Sequence, residues 1–373
     1  MISSSHKLRG SRLKYLILLT AVIFLANQTY ALTTEVKGFV GLDILKFYKT
    51  ESSTPTLQTG IGTLDLKFYA YHDNISFKLK LDLDDSEMNE AYNLFEEANA
   101  TYRITDSFKI TAGKGLVPFN QKRYGIVESA YLDGGSPLGG INSWRDPDNK
   151  ILIILTNGSY KQGYMNHFTF YGESKQIERN SDGSLKISVD KNGYESLNYK
   201  TTKDFQTKDQ RGFANKLEFF LGKLTVYGSG IYYYNDAYPM DSWAFDAGGR
   251  YVTPELEIWL ETLYGFYSTH SAAKYPAFKQ YEKLIQLGME KRLNQNFFIG
   301  TNIEGMLVKK HTWQSQMDDH RQMKLEIGPK YLIRENAFVT FGIVGEKKKT
   351  YRNSVYKSTK HLLGTALKLS FWY

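Results

Sequence analysis

The sequence predicts an all-β chain: a single transmembrane antiparallel β-barrel of about sixteen strands, with fourteen or eighteen as the alternatives. Three observations carry this expectation. Hydrophobicity alternates with period two through most of the chain. The alternating segments are mostly nine to fifteen residues long, whereas soluble strands centre on about five or six and tilted membrane-crossing strands need about nine to eleven. The breaks between them run short, then long, from one end to the other, as tight turns and longer external loops do in such barrels.

The N-terminal segment MISSSHKLRGSRLK (1–14) carries Lys7, Arg9, Arg12 and Lys14 and no acid. The apolar run YLILLTAVIFLA (15–26) follows, then NQTYA with Thr29 and Ala31. A basic head, an apolar run and small residues are the pattern of an export signal, so residues 1–31 are expected to be removed after Ala31. A run of this length is short of the roughly 20 residues a spanning helix needs. Removal takes four positive charges from the formal +8, leaving +4. Basicity therefore says little about nucleic acid, and no such partner is expected. The chain has no cysteine, which excludes a disulfide framework, a thiolate nucleophile and a zinc–thiolate site. An exported chain without cysteine suits the bacterial envelope. No later stretch is apolar enough for a membrane helix.

The candidate strands are 35–48, 59–72, 75–84, 96–105, 107–116, 149–157, 161–171, 211–220, 223–235, 243–253, 255–269, 279–291, 296–309, 321–333, 337–347 and 362–373. SFKLKLDLDD (76–85) shows the pattern best. Phe77, Leu79, Leu81 and Leu83 share one face; Lys78, Lys80, Asp82 and Asp84 share the other. In MKLEIGPKYLI (323–333), Met323, Leu325, Ile327 and Tyr331 oppose Lys324, Glu326 and Lys330. The wet faces are the candidate lumen lining, represented by Lys78, Lys80, Asp82, Asp84, Lys324, Glu326 and Lys330. Pro329 sits inside this strand without a ladder donor. KILIILTNG (149–157) barely alternates, and SLKISVD (184–190) reads as an extra hairpin strand.

Short breaks fall at YHD (72–74), Asp106, Leu221-Gly222, Pro254 and 294–295. Longer ones fall at 49–58, 85–95, 117–148, 172–210, 236–242, 270–278, 310–320 and 348–361. This order predicts an even strand count with both termini in the periplasm. The final segment TALKLSFWY (365–373) puts Leu367, Leu369, Phe371 and Tyr373 on one face. An apolar stripe ending in aromatics fits a lipid interface.

Two segments resemble the outer-membrane porins, and within them the phosphate-selective (O/P-type) family. One is the terminus Phe371-Trp372-Tyr373, similar to the signature read by the outer-membrane assembly machinery, carried by Phe371 and Tyr373. The other is EEANATYRITDSFKITAGKGLVPFN (96–120), similar to a hairpin running into a Gly-rich strand end and a Pro-Phe pair, here Pro118-Phe119. The resemblance implies one barrel over 32–373, a homotrimer in outer-membrane lipid and lipopolysaccharide, and passage of small hydrophilic solutes, with phosphate or other anions preferred. It also implies an inward third loop, here 117–148. The wet faces of this chain mix signs, since Lys78 and Lys80 precede Asp82 and Asp84, and no ladder of arginines matches.

In AGKGLVPFNQKRYG (112–125), Pro118 cannot donate to a sheet and is a natural place to leave it. The segment that follows carries Lys122, Arg123, Glu128, Asp133 and Arg145, with Asp146 and Asp148, and Gly134, Gly135, Gly139 and Gly140 suit a compact path. Opposed charges in a narrow passage act on ions and orient dipolar solutes. The segment 172–210 is the longest expected external loop.

Other classes leave fainter traces. A barrel hydrolase needs a nucleophile and a base. His72, His167, His270, His311, His320 and His361 fall mostly at strand ends, and only His167, in NHFTF, lies within a strand. No G-x-S-x-G accompanies it. His311 and His320, with Asp318 and Asp319, offer oxygen and nitrogen ligands without a metal motif. No nucleotide fingerprint is present; GSGIYYYNDAY (228–238) holds only a fragment inside a strand. Catalysis, a metal and a cofactor are not expected. An adhesin or receptor barrel, binding through 172–210, is the main alternative.

Overall fold

The computed structural model describes residues 33–50, 56–83, 95–119, 150–173, 175–177, 180, 187–189, 195–197, 199–201, 210–235, 240–269, 279–311 and 317–372. The expected export segment lies outside them. The strands are β1 (Thr33–Thr50), β2 (Thr56–His72), β3 (Ile75–Asp82), β4 (Phe95–Arg103), β5 (Phe108–Gly115), β6 (Lys150–Ser159), β7 (Tyr164–Glu173), β8 (Lys175–Ile177), β9 (Ile187–Val189), β10 (Glu195–Leu197), β11 (Tyr199–Thr201), β12 (Gln210–Leu221), β13 (Leu224–Asn235), β14 (Met240–Val252), β15 (Leu256–Thr269), β16 (Lys279–Arg292), β17 (Phe297–His311), β18 (Met317–Arg334), β19 (Ala337–Arg352) and β20 (Val355–Trp372).

Sixteen of them close an antiparallel barrel in the order β1–β7, then β12–β20, with β20 returning to β1. The four short strands between β7 and β12 form two small ladders outside it, β8 with β11 and β9 with β10. The segment SLKISVD thus contributes β9, and the barrel passes it by. No helix among the described residues is long and apolar enough to cross a membrane.

Alternation tells the two faces apart. Phe77, Ile153, Phe170, Phe213, Phe245, Leu260, Ile285, Leu325, Ile343 and Leu363 are exposed, while Asp246, Glu261, Gln286, Asn302, Glu326, Thr340 and Ser370 between such positions are buried. In a soluble protein this would be inverted. An apolar outer face and a polar concave inner face are what lipid outside and a wet lumen require.

One expected break is corrected. Residues 348–361 do not form a long loop: β19 and β20 run on to a two-residue turn at Asn353 and Ser354, which have φ of 50° and 65°. Paired positive-φ residues give the twist that joins antiparallel strands tightly. The wall is consequently uneven. β1, β18 and β20 have 18 residues each, whereas β3, β4 and β5 have 8, 9 and 8. The short ones are at or just below the roughly nine to eleven residues that cross lipid.

Pro329 stays within β18. It pairs with Ile299 on one side, but the ladder to β19 steps from Ile327–Ile343 to Lys330–Thr340 without it. Neighbouring Gly328 admits Phe341's carbonyl oxygen where a side chain would stand, so a locally weakened ladder is tolerated beside a close backbone approach.

Candidate functional site

The interior of the barrel is the candidate site. Its lining begins with a row of directly opposed inner residues that crosses nine strands: Glu218, Tyr227, Gly248, Glu261, Gln286, Glu304, Lys324, Glu346 and Leu362. Strand closure makes this row; the residues are scattered through more than 140 positions of sequence.

Buried charges need partners, and the inner wall supplies them from side chains. The Lys324 ammonium lies 2.8 Å from Glu326. Glu326 also accepts from Asn302 at 3.3 Å, and Asn302 accepts from Gln286 at 2.7 Å. Gln322 donates to Glu346. Lys330 bonds Glu290 at 2.8 Å, Lys78 bonds Glu97 at 2.7 Å, and Lys80 lies 3.0 Å from Asp65. Of the candidate lining residues, Lys78, Lys80, Lys324, Glu326 and Lys330 therefore hold carboxylate or ammonium partners on the inner wall. Asp82 is placed only by its backbone pairing with Asp65, and Asp84 lies outside the described residues.

Charge is not evenly spread around the wall. Asp246, Glu261, Glu282, Glu304, Glu326 and Glu346 give one buried inner acid on each of six consecutive strands, β14 to β19. Sequence reading named Glu326 as lumen-facing but missed the arc, because each acid is unremarkable by itself. The detectable signal was their shared parity, opposite to the lipid-facing stripe of each strand.

Inner aromatics use glycine as a recess. Tyr171 lies opposite Gly212, Tyr227 opposite Gly248 and Trp259 opposite Gly288. In each case a side chain on the glycine would collide with the ring. Two of these rings reach over the glycine strand: Tyr171 donates to the Tyr232 carbonyl at 3.0 Å, and Tyr227 donates to Glu261 at 3.0 Å.

The chain beyond β5 turns into this interior. Val117 and Phe119, 4% and 1% exposed, form one apolar cluster with Leu152, Tyr171, Ala214, Ile231, Ala244, Leu263 and Leu284 from the inner faces of β6, β7 and β12–β16. The strand end leading there depends on Gly113, whose φ of 135° no residue with a Cβ adopts comfortably. Lys122, Arg123, Glu128, Asp133 and Arg145 lie outside the described residues, as does Tyr373. Phe371 is exposed on the outer face, and the Trp372 ring packs at a tilt against Phe338, with ring centres 5.3 Å apart.

His167 sits in a hydrogen-bonded string. Its Nδ1 is 3.0 Å from the Thr156 hydroxyl and its Nε2 is 3.5 Å from Glu218, which Lys216 also contacts at 3.1 Å. The hydroxyl belongs to a residue only 2% exposed, closed to a substrate, so the string braces the wall between β6, β7 and β12. His320 bonds Thr350 at 3.2 Å, whereas the His311 ring meets Tyr281. No group of three His, Asp or Glu side chains among the described residues is placed to hold a metal.

Comparisons with known proteins agree on the fold. No protein-family model matches the chain, and no curated protein is similar to it. Among solved structures it is similar to the outer membrane channel DcaP of Acinetobacter baumannii, at 11% identity and a TM-score of 0.61 over 92% of this chain and 97% of that one. It is also similar to OmpT, an outer membrane protein of Vibrio cholerae in its trimer form, at 11% identity and 0.59 over 92% and 99%. An anion-selective porin from Comamonas acidovorans matches at 11% identity and 0.57 over 92% and 100%. At such identities the likeness is one of architecture.

Proposed function

We propose that the chain is an outer-membrane porin through which small hydrophilic solutes and ions diffuse passively. One observation carries the reading: a closed sixteen-strand barrel with an apolar outer face and an inner face lined by charged and amide side chains. Sixteen strands enclose a bore too wide for wall side chains alone to fill. The structural neighbours, a channel and an anion-selective porin among them, support a pore over an adhesin or a hydrolase. The trimer form of another supports a homotrimer.

In this reading the tight turns face the periplasm with both termini, and the longer connections face outward. The segment 117–148 narrows the bore. Burial of Val117 and Phe119 in the inner cluster supports an inward course, with Lys122, Arg123, Glu128, Asp133 and Arg145 at the constriction. Mixed signs on the wall argue against a steep anion filter. Phosphate and other anions would pass as small solutes among others, with no cofactor and no covalent step.

Planar-bilayer recording in an asymmetric salt gradient tests the proposal. The purified protein should give discrete conductance steps, and deleting the middle of 117–148 should enlarge them. An inactive wild type would overturn the pore, and an unchanged step size in the deletion would remove the segment from the constriction.

A further inference from the structure

The barrel wall steps down at its seam. β1 pairs with β20 only as far as Thr50–Leu362, whereas β20 runs out to Val355 and stays paired there with β19. Among the described residues, no strand lies against Val355–Lys360 on the side away from β19. About 20 Å of sheet edge therefore stands beyond the end of β1. Burial marks the same step. From Leu362 to Ser370 every second residue of β20 is buried, but Val355, Tyr356, Lys357 and Lys360 are exposed on both parities. An exposed edge of this kind is a template for another strand.

The adjoining connection is too short to cover this edge. Residues 51–55 join β1 to β2, and Thr56 is already paired with Tyr48. The path from Thr50 to Thr56 extends at most about 20 Å, so an excursion out and back reaches about 10 Å, half the edge. The hairpin behind the edge is stiff. The Tyr356 hydroxyl bonds the Thr359 hydroxyl at 2.9 Å, and its ring meets that of Tyr351 edge-on at 5.9 Å. A preordered strand loses less entropy when another is added. Charge then selects the addition. Lys347, Lys348, Lys349, Arg352, Lys357 and Lys360 lie in the hairpin, and no Asp or Glu occurs from 347 to 373. Arg352 faces Asp318 on β18. Lys348 stands directly opposite Lys360, a like-charge pairing that destabilises a sheet and that added carboxylates offset. Such an edge repels a second copy of itself and admits a strand that brings acids.

We propose that the Val355–Lys360 edge of β20 is a docking site for an extended, acidic segment of another protein. The backbone of the edge continues its ladder into the added segment, which supplies affinity. Lys357 and Lys360 pair with the segment's carboxylates, which supplies selectivity. This binding is separate from diffusion through the bore and does not depend on it.

The experiment titrates the purified full-length barrel, in detergent, with dye-labelled octapeptides and reads fluorescence anisotropy. One peptide alternates Glu and Thr, a second alternates Lys and Thr, and a third is the Glu–Thr peptide with every backbone nitrogen methylated. The Glu–Thr peptide should bind and the Lys–Thr peptide should not. The methylated peptide keeps its charge but loses its donors, and should bind about tenfold more weakly. The variant Lys357→Gln/Lys360→Gln should weaken Glu–Thr binding about fivefold, the size of two exposed ion pairs. Lys223→Gln, in the turn at the opposite rim, should bind as the wild type does. Heat-modified gel mobility verifies that each variant is a closed barrel. No binding of the Glu–Thr peptide, equal binding of the methylated one, or undiminished binding by the double variant would overturn the proposal. Thr359→Cys, the one cysteine in the variant chain, tests the occupant. A disulfide to a cysteine-bearing Glu–Thr peptide supports the proposal, and a disulfide between two barrels overturns it. No readout uses conductance, so a silent pore and an empty edge are told apart.

Discussion

The Tyr227 hydroxyl donates a 3.0 Å hydrogen bond to Glu261 from two strands away, passing over Gly248 on the strand between. The glycine makes the bridge: a side chain there would occupy the space of the phenol. Tyr227→Phe leaves a buried carboxylate one donor short and should cost about 1–3 kcal/mol. Gly248→Val should cost about as much by overpacking. Urea unfolding of the refolded barrel, followed by gel mobility, measures both.

Phe119→Ala should loosen the entry of the 117–148 segment into the bore. Removing a fully buried Phe costs about 3–5 kcal/mol where the surroundings do not relax. The cost here falls on one segment's docking, so the barrel should remain folded while single-channel current becomes noisier and its mean larger. Quiet wild-type steps in the variant would detach Phe119 from loop docking.

Glu261→Gln/Glu304→Gln/Glu346→Gln removes three acids from one arc of the wall. The reversal potential in a salt gradient should move toward anions. Lys122→Glu/Arg123→Glu should move it the opposite way if the constriction includes them. Neutralisation within the lumen alters the local ion concentration, so both shifts should shrink as salt rises.

Ser354→Gly should stabilise the β19–β20 hairpin by about 1 kcal/mol, because Ser354 holds a φ of 65° that glycine adopts without steric cost. A higher unfolding midpoint at unchanged conductance is the expected result.

The strands were legible where one face meets lipid and the other meets water. SFKLKLDLDD and MKLEIGPKYLI alternate because their neighbours alternate. That signal stops at the membrane surface. KKTYRNSVYKSTKH (348–361) is polar and does not alternate, so it reads as a loop, although it is paired nearly throughout. Inside the barrel the rule that inner residues are polar also fails locally. Ala214, Ile231, Ala244, Leu263 and Leu284 face inward because Val117 and Phe119 cover them. Nothing in the separate strands announces that partner. The acidic arc likewise exists only after closure sets six parities side by side.

The seam between β1 and β20 pairs Phe39 with Trp372 and Thr50 with Leu362, so nearly the whole chain lies between partners that must meet. Every other barrel ladder can be laid down by adding the next strand. This one waits for the last residues to be made. Until then both terminal strands present open hydrogen-bonding edges, the condition in which chains join each other, and such distant pairing is slow to form. In the proposed outer-membrane setting such a chain would have to reach the bilayer unfolded and escorted, and the pairing of β20 with β1 decides when it stops being hazardous.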